Sequence, residues 1–122
     1  MRDLIKTPLC EHILRKLTIV NLVIFMALHM LYYSKFKSES LDQLTELRNQ
    51  FKVIYQKHGI EIDGFWENEA DTSELHFMTK YENEMDYKRK VETLQADENY
   101  QKLSSELGDI RLSFKATRLN PI

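Results

Sequence analysis

The most regular pattern in the chain lies in SLDQLTELRNQFKVIYQKHG, where Leu41, Leu44, Leu47, Phe51, Ile54 and Tyr55 recur at intervals of three and four. That spacing lines one face of an amphipathic helix over about 40–58. Ser40 followed by Gln43 reads as a capping box, and Gly59 as the residue that stops the helix after His58.

The period then changes to two. Ile60, Ile62, Gly64 and Trp66 alternate with Glu61, Asp63, Phe65 and Glu67, the signature of a half-buried strand. After the polar ADTS, Leu75, Phe77, Thr79 and Tyr81 alternate with His76, Met78 and Lys80, which predicts an antiparallel hairpin. Helical spacing returns with Met85, Val91 and Leu94, with Asn83 placed as the cap and Asp86 as the first-turn acid. A further helical piece turns Tyr100, Leu103 and Leu107 inward and is closed by Gly108. In the last strand Ile110, Leu112, Phe114 and Ala116 alternate with Arg111, Ser113, Lys115 and Thr117.

From Ser40 the order is α-β-β-α-β. One more strand in front completes a ferredoxin-like β-α-β-β-α-β unit of the α+β class, with a four-stranded antiparallel sheet and helices on one face. Only ALHMLYYSKFK can supply it. That segment overlaps the uncharged run Leu17–Tyr33, whose apolar length invites a membrane reading. A span needs about 20 apolar residues, and assigning Leu28–Lys37 to a strand leaves only Leu17–Ala27. The same residues cannot both cross a bilayer and pair in a sheet. The division is therefore an apolar extension over 1–27 and a domain over 28–120. The extension is read either as an over-extended start, with translation beginning at Met26 or Met30, or as an anchor. No clear A-x-A site marks a cleaved signal peptide.

Composition narrows the function classes. The chain has 122 residues, 43% hydrophobic and 30% charged, which is too apolar for disorder. A net charge of −2 argues against nucleic-acid binding. Residues 1–33 hold four basic and two acidic residues, and 34–122 hold thirteen and seventeen, so the domain is mildly acidic. The single Cys10 excludes an internal disulfide and fits a reducing, cytoplasmic setting.

The segment KHGIEIDGFWENEADTSELHFMTKYENEMDYKRKVETLQADENYQKL resembles the NIPSNAP family of the dimeric α/β-barrel superfamily. The likeness rests on Gly64-x-Trp66 near the end of one strand, a next strand ending at Tyr81, a short helix, and DENYQKL in place of an Asp-x-x-Trp region. Tyr100 stands where a tryptophan is usual, and the family's first-strand arginine is not evident in HMLYYSKFK. The resemblance implies a homodimer and a ferredoxin-like fold without an assigned activity. Relatives in the superfamily include cofactor-free and haem-dependent monooxygenases that work between sheet and helices. The haem-degrading ones use Asn, Trp and His. Trp66 and His76 match in type, but the first strand has no Asn, so that activity is not carried over and no cofactor is called for.

Motifs for phosphate loops, paired metal ligands and nucleophile elbows are absent from the sequence. Glu82/Glu84 and Asp97/Glu98 sit at predicted helix starts, where the dipole accounts for them. His58 falls in a last helical turn, and His29 near the first strand. The candidate ligand site is the sheet face away from the helices, with His76, Met78 and Lys80 on one strand, and Arg111 and Lys115 on the last. Trp66 is a further candidate. Glu61, Asp63 and Glu67 make that face acidic on its other side, so it suits an anionic or mixed ligand or ordinary cross-strand ion pairing. Trp66, Phe65, Tyr32, Tyr33, Tyr81 and Tyr87 read either as stacking residues for a planar ligand or as core. The sequence thus predicts a cytoplasmic homodimer that binds a small apolar or anionic ligand or a partner protein. The alternatives are a small monooxygenase and a binding domain anchored through Leu17–Tyr33.

Overall fold

Strand β1 (Leu28–Phe36) leads through a 3-10 turn (Ser38–Ser40) into helix α1 (Leu41–Lys57). The hairpin β2 (Glu61–Asn68) and β3 (Asp71–Tyr81) follows, then helices α2 (Glu84–Gln95) and α3 (Glu98–Ile110), and β4 (Arg111–Leu119) ends the domain. This computed structural model describes residues 27–122; the reading of 1–26 as an extension lies outside the described residues. The strands form one sheet in the order β2-β3-β1-β4, every neighbouring pair antiparallel. The α+β ferredoxin-like unit is therefore complete, with Leu28–Phe36 as its first strand. No helix among the described residues is long and apolar enough to cross a membrane.

The helix ends show which capping signals operate. Gly59 adopts φ 70°, its N–H bonds Gln56 O at 3.0 Å, and the Ile60 N–H bonds Tyr55 O at 2.9 Å. Those two bonds make a Schellman close, available without strain to glycine. At the other end of α1 the expected capping box is absent. Ser40 makes no side-chain cap bond, and its N–H, the donor Gln43 would accept from in such a box, is engaged by Lys37 O at 3.0 Å.

Asn83 caps α2 by accepting from the Asp86 N–H at 2.9 Å, while buried Asp86 accepts from the Glu82 N–H at 2.9 Å. Asp97 caps α3, accepting from the Asn99 N–H at 2.8 Å and the Tyr100 N–H at 3.3 Å. It also meets His58 Nε2 at 2.7 Å, tying the end of α1 to the start of α3. Gly108 does not close α3, which runs on to Ile110.

The helices cover one face of the sheet. The core between the layers includes Leu28, Met30 and Phe36 of β1, Leu44 and Leu47 of α1, and Leu103 of α3. Edge strand β4 is the thinly covered flank, where Leu112, Phe114 and Leu119 remain exposed.

Two irregularities decide which side chains face the helices. In the β2–β3 pairing Ile62 opposes Thr79 and Gly64 opposes Met78, so Asp63 is an extra residue. In the β1–β4 pairing Lys35 opposes Ser113 and Phe36 opposes Arg111, so Leu112 is an extra residue. Each shift reverses the alternation beyond it.

Candidate functional site

The bulge at Asp63 turns Phe65 toward the helices and Trp66 away from them. Trp66 is 50% exposed, with its indole over Gly64, which corrects its expected place beside Ile60 and Ile62. It opposes His76 on the open face. His76, Met78, Lys80 and Lys115 share that face, with the His76 ring 5.2 Å from that of Tyr33. Several charges there are already paired: His29 Nδ1 lies 2.9 Å from Asp63, Lys35 Nζ 3.3 Å from Asp71, and the Tyr33 hydroxyl donates to Glu74 at 3.1 Å.

Arg111 is the second correction. The bulge at Leu112 puts it opposite Phe36 on the helix side, whereas the register turns the other five candidates to the open face, His76 bordering the cavity as well.

The helix side holds a cavity of about 410 Å³, within the range of small-molecule sites. Its floor is a row of four rings, one from each strand. Phe65 stacks on Phe77 at 5.5 Å, Phe77 on Tyr32 at 4.6 Å, and Tyr32 on Phe114 at 6.2 Å, with interplanar angles of 18–25°. A cation covers each end. Arg48 and Lys52 of α1 lie 5.9 and 4.9 Å from the Phe65 centroid, and Arg111 lies 4.3 Å from that of Phe114. The roof comes from Phe51 and Tyr55 of α1, Tyr87 and Val91 of α2, and Tyr100 of α3, with Tyr100 set edge-on to Phe51 at 6.0 Å.

The electrostatics follow from burial of the phenols. Burial, reinforced by Tyr81 and Tyr87, pushes the Tyr32 hydroxyl well above its ordinary value. Burial, then Tyr100, Tyr32 and Tyr81, does the same to Tyr55. Burial also raises Tyr81, against the relief of its bond with Thr79; the Thr79 Oγ1 donates to its hydroxyl at 3.3 Å. These phenols stay protonated near neutrality and are donors. Burial lowers Arg111 from its usual value, opposed by Tyr100 and Tyr55. A guanidinium remains charged even so. The cavity is thus apolar, aromatic and cationic, and can take a flat molecule against its floor.

Among the solved structures similar to this chain is a NIPSNAP family protein from Agrobacterium tumefaciens str. C58, with TM-score 0.68 and 14% identity over 79% of this chain and 86% of that one. The chain shares the fold of that protein. A NIPSNAP-like domain protein from Burkholderia xenovorans gives TM-score 0.69 at 11% identity, covering 80% of this chain and 87% of its own. An antibiotic biosynthesis monooxygenase shares the architecture at TM-score 0.66 and 11% identity, over 78% and 98% of the two chains. No family model matches the sequence, and neither does any curated protein.

Within this fold, the residues that sequence reasoning missed had signals of two kinds. Arg48 sits on the stripe of Leu44, Phe51 and Tyr55, a charge where the helix should be apolar. Gly64 inside a strand is a recognised sign of a bulge, and it predicts the reversal that exchanges Phe65 and Trp66. Nothing comparable marks Leu112.

Proposed function

We propose that this chain is a NIPSNAP-like binding protein that holds a small, mostly apolar and planar ligand between its sheet and helices. The observation that carries the reading is a cavity of about 410 Å³ whose floor is formed by one ring from each strand, stacked on one another so that their edges line it. A thermal-shift screen of small aromatic compounds tests it, with A116W as the control, because exposed Ala116 lines the cavity and a larger ring there obstructs it. A ligand at a hundred times its Kd should stabilise the wild type by about 2.7 kcal/mol and leave A116W unmoved. Equal shifts in both would refute the cavity as the site.

The reading includes a homodimer through the open sheet face, where Trp66 is half exposed beside His76 and Met78. Closed two-fold pairing is the common mode for soluble chains. Light scattering on the whole chain should give twice 14.6 kDa; a monomer at high micromolar concentration would remove the dimer. A cytoplasmic location, supported by the single Cys10, is tested by cell fractionation, and recovery with membranes would favour the anchored alternative.

A second reading, oxygenation of the bound ligand, is favoured by the shared architecture with an antibiotic biosynthesis monooxygenase. Oxygen uptake in the presence of bound aromatic compounds tests it. The haem-dependent form fits poorly: His29 is engaged with Asp63, His58 with Asp97, and His76 lies on Tyr33 across the sheet. His29 and His58 do not line the cavity, and His76, which borders it, lies on the open-face side of the β3 register.

A further inference from the structure

The cavity holds a conflict that its apolar lining does not resolve. The Nε atoms of Arg48 and Arg111 are buried and have no hydrogen-bond partner among the described residues. Neither guanidinium has a salt bridge there, and no aspartate or glutamate lines the cavity. A buried donor without a partner is costly, and more so when it carries charge. Lysines and arginines with nothing but folding to satisfy would be expected at the surface, where this chain has paired many of its acids.

The two ends of the ring floor are not equivalent. Arg48 shares the Phe65 end with Lys52, which is exposed. Arg111 stands over Phe114, and Tyr55 and Tyr100 line the same cavity. Each hydroxyl can donate as well as accept, and no carboxylate lines the cavity beside them for the Arg111 guanidinium to pair with.

Resting on the cavity reading above, we propose that the ligand is an aromatic or other planar anion, its carboxylate or sulfonate-like group held by Arg111 with Tyr55 and Tyr100, and its flat body lying over Tyr32 and Phe77. The geometry gives each part of such a molecule a complement: a charge-assisted hydrogen bond at one end and, along the floor, the edges of Tyr32 and Phe77, against which a flat ring can pack edge to face. A neutral aromatic would satisfy only the floor. A free inorganic anion would satisfy only Arg111.

A matched pair of fluorescent probes separates these contributions: anilinonaphthalene sulfonate and its neutral parent, N-phenylnaphthylamine, titrated into the whole chain. The sulfonate should bind wild type roughly tenfold more tightly than the neutral probe, as for a hydrogen-bonded charge. R111Q should remove that advantage and leave the neutral probe's affinity unchanged; R111K should restore part of it. A116W should abolish both. Equal affinities of the two probes for wild type, or an R111Q effect equal on both, overturns the anion inference and leaves the cavity reading standing. Binding of both probes to A116W at wild-type affinity, or of neither to wild type, removes the cavity reading itself. A larger loss with R48Q than with R111Q overturns the assignment to Arg111. If R111Q does not fold, the comparison of probes on the wild type decides alone.

Discussion

Replacing Phe65 or Trp66 with alanine puts the bulge at Asp63 to a quantitative test. Simple alternation places Trp66 inside and Phe65 outside, and the observed register reverses them. Phe65 is half-buried against Phe77 at 5.5 Å, beneath Arg48 and Lys52. Full burial of such a side chain gives about 1.5–3 kcal/mol, so half of that is at stake. The stacked pair adds about 0.5–1.5 kcal/mol. F65A should therefore cost about 2 kcal/mol, or roughly 10 °C in Tm for a domain of this size. Trp66 is 50% exposed, with its indole over Gly64. W66A should cost about 1 kcal/mol or less, and its loss should grow with protein concentration if the open face pairs two copies. Urea unfolding at dilute and high micromolar concentration measures both. If W66A is the costlier variant in dilute solution, the alternation is unbroken and the site as described is wrong.

Other outcomes are as specific. T79V removes the hydroxyl of a residue with 0% exposure that bonds Tyr81; it should cost about 1–2 kcal/mol in a urea melt, and an unchanged midpoint would show that bond to be inconsequential. G59A forces a side chain into φ 70° and should lose about 1–2 kcal/mol, with retention of full stability indicating a different helix close. His58, then Lys57 and the α3 amides, hold Asp97 far below its ordinary 3.8. A depressed carboxylate stabilises the fold above its unfolded value and loses that contribution as pH falls through the folded one. D97N should therefore lower Tm at neutral pH, with the gap to wild type closing only as the pH is taken well below 3.8; a constant gap down to the acid limit would mean that the charge is not what matters.

How much of this was legible in the sequence depended on whether periodicity ran unbroken. Helix α1 announces itself because six apolar residues keep one phase, and Gly59 ends it where a left-handed residue is required. The first strand emerged by completing a sheet that would otherwise lack a member. The site was harder, since a one-residue bulge inverts every side chain after it and leaves composition untouched. Arg111 was therefore picked out for its chemistry and assigned to the opposite face. Gly64 carried a warning of its bulge; Leu112 carried none, and that register is set by how β4 meets the end of β1. Arg48 was visible as a charge in an apolar stripe, but only the assembled cavity gives that position meaning. Ser40 shows the converse error, a sound local motif displaced by the turn in front of it.

Methionine gives the most direct test of where the ligand sits. Met30 lines the cavity, and Met78 lies on the opposite face of the same sheet. With isotope-labelled methionine methyl groups, titration of anilinonaphthalene sulfonate should shift the Met30 resonance through the ring current of the bound probe. Met78 should stay in place at the same protein concentration. A shift at Met78 with Met30 silent would put binding on the open face with His76 and Lys80, and would contradict the assignment of the site to the space between sheet and helices.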